Sequence, residues 1–178
     1  MSNGYQEDMD MYEESHGKPG RQLGREALLR PIRDLDYPHS PVSFPPEALV
    51  GEVLDVMADK RFGAVLIVKD GKLIGIFAER DLLIKKIYGG KDLARPVSDF
   101  MTPDPDCLTP DDPIAYALNR MVQGGYRHVP LITPDRTPVG LLAMRDVVRY
   151  VESFFPAVVT NLPPHSEHNP PDRSPWGG

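Results

Sequence analysis

Cysteine is almost absent from this chain. Cys107 stands alone, so no intramolecular disulfide is available, and the reducing cytoplasm is the expected setting. Long apolar runs are missing too. No stretch reaches the roughly 18 consecutive apolar residues of a membrane span, and the first residues, Met-Ser-Asn-Gly-Tyr-Gln-Glu-Asp, lack both the basic and the apolar segment of a secretion signal. Neither a membrane nor an export route is expected. Basic clusters are also missing: 20 Lys and Arg face 26 Asp and Glu, for a net charge of −6, which argues against a nucleic-acid partner. No paired acid and base, no nucleophile elbow and no metal cluster can be read from the sequence, so no catalytic residue and no metal site is expected and the chain does not read as an enzyme. Gly89-Gly90-Lys91 lacks the glycine spacing of a phosphate loop. His165 and His168 lie in a proline-rich stretch with no third fixed ligand. Cys107 has no histidine nearby to act as its base and reads as a small buried thiol.

What is present is a repeat. The 178 residues are 40% hydrophobic, enough for a core. Residues 1–22 are polar and acidic, and residues 156–178 are rich in proline; both are expected to be disordered. Between them, Gly75-Ile-Phe-Ala-Glu-Arg-Asp81 matches Gly140-Leu-Leu-Ala-Met-Arg-Asp146 at an offset of 65, as Arg30-Pro31-Ile32 matches Arg95-Pro96-Val97. After a slip of one residue, Val53 to Met57 matches Ala117 to Met121.

Each copy carries the same local signals. Pro45-Pro46-Glu47 and Pro110 to Pro113 mark helix starts. Apolar residues follow at helical spacing: Leu49, Val50, Val53, Leu54 and Met57 in the first copy, and Ile114, Ala117, Leu118, Met121 and Val122 in the second. The helices are expected to stop at Gly63 and at Gly124-Gly125. Ala64 to Val68 and Leu73 to Phe77 read as strands joined by the turn Lys69-Asp70-Gly71-Lys72, and His128 to Ile132 with Val139 to Leu142 repeat them around a longer turn. A last helix begins near Arg80 and near Arg145. Its apolar residues cover more than one stripe, which points to burial by the sister copy or by a second chain, and a homodimer is expected.

This order, twice over, closing on Gly-h-h-x-x-Arg-Asp (h, hydrophobic), resembles the cystathionine beta-synthase (CBS) domain family, and the pair resembles a Bateman module. The resemblance covers about Leu29 to Phe155, with one domain over residues 29–88 and the other over 89–155. It implies an α+β fold, β-α-β-β-α in each domain, packed with pseudo-twofold symmetry around clefts for adenosine-containing ligands. It also implies a regulatory role toward a partner protein, with an adenine nucleotide as regulatory ligand and no required cofactor. The family's ribose-binding aspartate falls on Asp81 and Asp146. A carboxylate there can accept both ribose hydroxyls, or it can complement a helix N-terminus. The family's usual Ser or Thr three residues earlier is replaced by Ala78 and Ala143, which weakens the case for tight AMP or ATP binding and also removes a helix cap. Arg127 and His128 fit phosphate-contacting positions and stand where the first copy has Phe62 and Gly63. The cleft containing Asp146 is therefore expected to be the better site. As alternatives, Arg127 is a solvated strand-end charge and His128 a packing residue. By the family's pattern Thr102 and Pro103 accompany Asp81, and Tyr37 and Pro38 accompany Asp146. Tyr37 would stack on a base or simply pack. Arg80 and Arg145 are expected to face solvent or acids. A ligand-free scaffold that only dimerises is the alternative to the sensor.

Overall fold

The computed structural model describes residues 24–36, 40–84 and 91–155. The tails expected to be disordered lie outside these residues, as do Tyr37, Pro38, His165 and His168. Gly24 to Val148 form one compact unit, and Arg149 to Phe155 belong to a second. In the second, the Tyr150 and Phe154 rings meet edge to face at 5.1 Å.

The first repeat begins with α1 (Arg25–Leu29) and a 3₁₀ turn (Ile32–Asp34). It continues through β1 (Ser43–Phe44), α2 (Val50–Lys60), β2 (Ala64–Lys69), β3 (Lys72–Ala78) and α3 (Glu79–Ile84). The second has a 3₁₀ turn (Val97–Asp99), β4 (Thr102–Pro103), α4 (Ile114–Gly124), β5 (His128–Ile132), β6 (Pro138–Ala143) and α5 (Met144–Glu152). The fold is α+β. One sheet runs β1-β2-β3-β4, and β5 pairs with β6. β1 pairs in parallel with β2, and a parallel bridge from Leu108 to Leu131 repeats that contact in the second copy.

Pseudo-twofold symmetry is written in the backbone hydrogen bonds that cross between repeats. Val50 N–H donates to Arg95 C=O at 3.0 Å and Ile114 N–H to Arg30 C=O at 2.9 Å; Val97 N–H reaches Ala48 C=O, and Ile32 N–H reaches Asp112 C=O. Each repeat's lead-in segment is thus docked on the other's helix start. The same docking corrects the expected helix starts. Leu49 bridges Pro96 and is extended at ψ 140°, so α2 starts at Val50 and not at the Pro45 to Glu47 signal. Pro113, which bridges Pro31, is the N-cap of α4.

α2 also stops short of Gly63, at Lys60. Its C-cap is Arg61, left-handed at φ 55°, and Phe62 N–H closes the end on Met57 C=O at 2.9 Å. The matching cap of α4 is Gly125 at φ 65°. Val122, expected on the buried stripe, is 70% exposed.

Alternation along β2 splits the core into two. Val65 and Ile67 face α2 with Phe77, Val97 and Phe100, while Ala64 and Leu66 join Leu73, Ile76 and Leu141 of the second repeat. The two sheets therefore pack on each other through the second set. At one edge of that contact Leu73 N–H donates to Arg136 C=O, Arg136 pairs with Asp104, and Lys72 pairs with Asp135.

Candidate functional site

β3 runs into α3, and β6 into α5, with no intervening loop. This puts Asp81 and Asp146 in the first turn of a helix. Asp81 Oδ2 accepts the Ala78 N–H at 2.8 Å, and Asp146 Oδ2 accepts the Ala143 N–H at the same distance. Each is the returning half of a capping box whose hydroxyl half is lost because Ala78 and Ala143 carry no oxygen. Both aspartates are buried, 9% and 4% exposed. The helix-complementing role is thus realised at both positions. The Thr102 hydroxyl approaches Asp81 Oδ1 at 3.4 Å, because β4 runs antiparallel beside β3 with Thr102 opposite Ile76.

A cavity of about 780 Å³ opens over Asp81, a size typical of small-molecule sites. Ala78 and Ile76 line it from β3; Thr102, Pro105 and Asp106 come from the lead-in to the second repeat; Gly125, Tyr126 and Arg127 come from the turn between α4 and β5, and His128 opens β5. Pro103 pairs with Gly75 and is not among the lining residues. Asp146 and Ala143 do not line this cavity either, and Tyr37 and Pro38 lie outside the described residues.

The structure places Arg127 and His128, expected with Asp146, in the lining of the cavity over Asp81. It also sets which residues of the two copies correspond. Ala64 pairs with Ala78, and His128 with Ala143; Glu79 N–H bonds Gly63 C=O, and Met144 N–H bonds Arg127 C=O. Arg127 therefore stands in the place of Gly63 and His128 in that of Ala64. The offset is 64 through helix and first strand, and it returns to 65 because the chain between the paired Ile132 and Pro138 is one residue longer than that between the matching pair Val68 and Leu73.

Arg127 is exposed, and its side chain makes no hydrogen bond or ion pair with the described residues. The His128 ring lies on Gly63, where an added methyl would meet it at 3.0 to 3.1 Å. Burial pushes the His128 pKa below its ordinary value, opposed by the Glu79 and Asp146 carboxylates and assisted by Arg145 and Arg127, so the ring is neutral near pH 7. Three further lining groups escaped the sequence reading. Arg80 does not turn to an acid: its Nη1 donates to Gly125 C=O at 2.6 Å across the cavity. Tyr126 donates its hydroxyl to Asp106 Oδ2 at 2.8 Å. Only the adjacency of Arg80 to Asp81 was visible beforehand; nothing local ties residue 126 to residue 106. Cys107 is half buried, its thiol 3.1 Å from Pro105 C=O, and desolvation raises its pKa.

Among the described residues no group of His, Cys, Asp and Glu could hold a metal, and no helix is long and apolar enough to cross a membrane. Comparison with known proteins gives a consistent result. A 131-residue stretch is 30% identical to inosine-5'-monophosphate dehydrogenase of Schizosaccharomyces pombe, covering 69% of this chain and 24% of that enzyme. The crystal structure of CBSX2 in complex with AMP matches with a TM-score of 0.61 at 21% identity, over 68% of this chain and 96% of the other. The CBS domain pair of protein MJ0100, in complex with 5'-methylthioadenosine and S-adenosyl-L-methionine, matches with a TM-score of 0.61 at 20% identity, over 69% of this chain and 96% of the other. The chain spans 63%, 16% and 52% of the length of the first curated relatives it matches. The CBS domain model matches twice, at residues 32–87 and 97–153, so the chain belongs to the CBS domain family as a tandem pair.

Proposed function

We propose that this CBS pair is a regulatory sensor without catalytic activity of its own, and that it binds an adenosine-containing ligand in the cavity over Asp81. The observation that carries this reading is the convergence of an acceptor and two kinds of donor on one space. Asp81 with Thr102 offers the ribose a carboxylate and a hydroxyl, while Arg127, Arg80 and His128 offer donors to a phosphate. The ligands of the two CBS-pair structures, AMP in one and methylthioadenosine with S-adenosylmethionine in the other, support the adenosine class. Ligand binding here would bias the relative placement of the two repeats and so act on a partner protein.

A second reading has its own support. Ala78 and Ala143 offer no hydroxyl to a ligand, and Ile84 and Val148, on the final helices of the two repeats, are 60% and 57% exposed. In this reading the pair is a ligand-free scaffold that forms a homodimer through those helices. Calorimetric titration with AMP, ADP, ATP, NAD and S-adenosylmethionine separates the two. The sensor reading expects saturable binding that Asp81→Ala weakens by about a hundredfold or more and that Asp146→Ala largely spares. No binding to any of the five leaves the scaffold.

A further inference from the structure

We infer that Asp106 selects the base of the bound nucleotide by accepting a hydrogen bond from an exocyclic amine of a purine, and that Tyr126 is the positioning residue that holds it ready. The inference rests on the reading of the cavity as a nucleotide site and adds the chemistry at its far end. Three carboxylates line the cavity: Asp81 already holds the Ala78 N–H and faces Thr102, and the Glu79 carboxylate makes no hydrogen bond with the described residues that would fix its orientation. Asp106 differs. Its Oδ2 receives the Tyr126 hydroxyl at 2.8 Å and has Arg120 Nη1 at 3.8 Å, while Oδ1 has no hydrogen-bond partner among the described residues. A carboxylate pinned through one oxygen presents the other as an acceptor with little ordering left to do.

Tyr126 is itself fixed. Its ring lies over Gly124, where a methyl group would come within 2.0 Å of Cε1. Burial and the bond to Asp106 push its pKa up to about 12, so the phenol stays a donor. Its ring also gives the cavity a flat apolar wall of the kind a base stacks on. Thr102, beside Asp81, and Asp106 are four residues apart on one lead-in segment, so their Cα atoms are separated by at most roughly 14 Å, the scale of a nucleoside's length. A ribose held at Asp81 therefore allows the base to lie along that segment toward Asp106.

A carboxylate acceptor rewards a base that presents a donor. AMP and GMP carry an exocyclic amine; purine riboside 5'-monophosphate carries none. Titrated against the full chain, AMP is expected to bind about tenfold or more tightly than purine riboside monophosphate. Asp106→Ala should bring that ratio close to one by weakening AMP. Asp106→Asn, whose amide oxygen still accepts, should retain part of it, and Tyr126→Phe should narrow it with Asp106 still in place. GMP binding with the same dependence on Asp106 would also support an amine-reading carboxylate. If AMP binds and its ratio to purine riboside monophosphate is unchanged in Asp106→Ala, the inference is overturned and the cavity remains a nucleotide site. If none of the three nucleotides binds the wild-type chain, the nucleotide reading falls with it.

Discussion

Two residues past the helix cap, the first repeat has Gly63 and the second has Arg127; one residue further on they have Ala64 and His128. The backbones that carry these pairs make the same bonds: strand pairing, the strand-to-helix junction and the aspartate's returning cap match. What differs is side chain alone, and the difference is delivered across the pseudo-twofold. The bulky, nitrogen-bearing residues belong to the second repeat, yet they line the cavity over the first repeat's aspartate. Duplication thus supplied a symmetric frame, and substitution on one copy furnished the other copy's cavity.

The largest test of that comparison concerns the frame. Ile32 and Val97 occupy matching places, both fully buried, each carried by one repeat and docked on the other. Ile32→Ala is expected to cost about 2 to 5 kcal/mol and Val97→Ala about 2 kcal/mol, read by urea denaturation. Each should shift a single cooperative transition, because Val97 packs with Val50, Met57 and Phe77 of the first repeat. Two separated transitions in either variant would break the picture of mutually dependent repeats.

How far these features could be read in advance follows from the range of the interactions. Strand β5 and the Asp70-Gly71 turn, whose residues take φ 50° and 75°, are set by neighbours in sequence and were legible. Asp81 and Asp146 were legible as first-turn acids. The exchange of lead-in segments is anticipated only through the family's pattern, which puts Thr102 beside Asp81, since the backbone bonds from Val50, Val97, Ile32 and Ile114 that make it join residues 45 to 84 positions apart and leave no periodicity. The correspondence of Arg127 with Gly63 is not legible either, because the residue that returns the offset to 65 is silent until strand pairing fixes the register. Nor is the contact of Arg80 legible, since its acceptor, the Gly125 carbonyl, is a backbone group 45 residues away.

A smaller test concerns the helix caps, where Arg61 at φ 55° answers Gly125 at φ 65°. A left-handed residue with a Cβ is strained by about 1 to 2 kcal/mol, partly offset by the greater freedom glycine loses on folding. Arg61→Gly should therefore stabilise by about 0.5 to 1 kcal/mol, and Gly125→Ala should destabilise by about 1 kcal/mol. A methyl at Gly125 would meet only Arg80 Nη1, at 3.9 Å, so the cost is conformational and not a clash. Thermal unfolding of the two variants tests whether the copies are alike in backbone demand; opposite signs are the expected result.

The smallest effect is one the first repeat cannot show, since Ala64 stands where the second has His128. Burial lowers the His128 pKa below 6.5, its ordinary value, with Glu79 and Asp146 opposing and Arg145 and Arg127 assisting. Well above pH 6.5 the ring is neutral folded or unfolded and pH changes nothing. Below it, the unfolded chain takes up a proton that the folded ring resists, so stability falls with pH until the folded pKa is passed. Asp135 does not intrude on this window. Its carboxylate is held below the usual range chiefly by Lys72, so the stability it lends is present above about pH 3.8 and lost only in stronger acid. Urea denaturation between pH 7.5 and 5 should show a decline for the wild-type chain that His128→Gln flattens. An equal decline in both would place the proton uptake elsewhere and return His128 to the rank of a packing residue, leaving Arg127 as the main electrostatic difference between the copies.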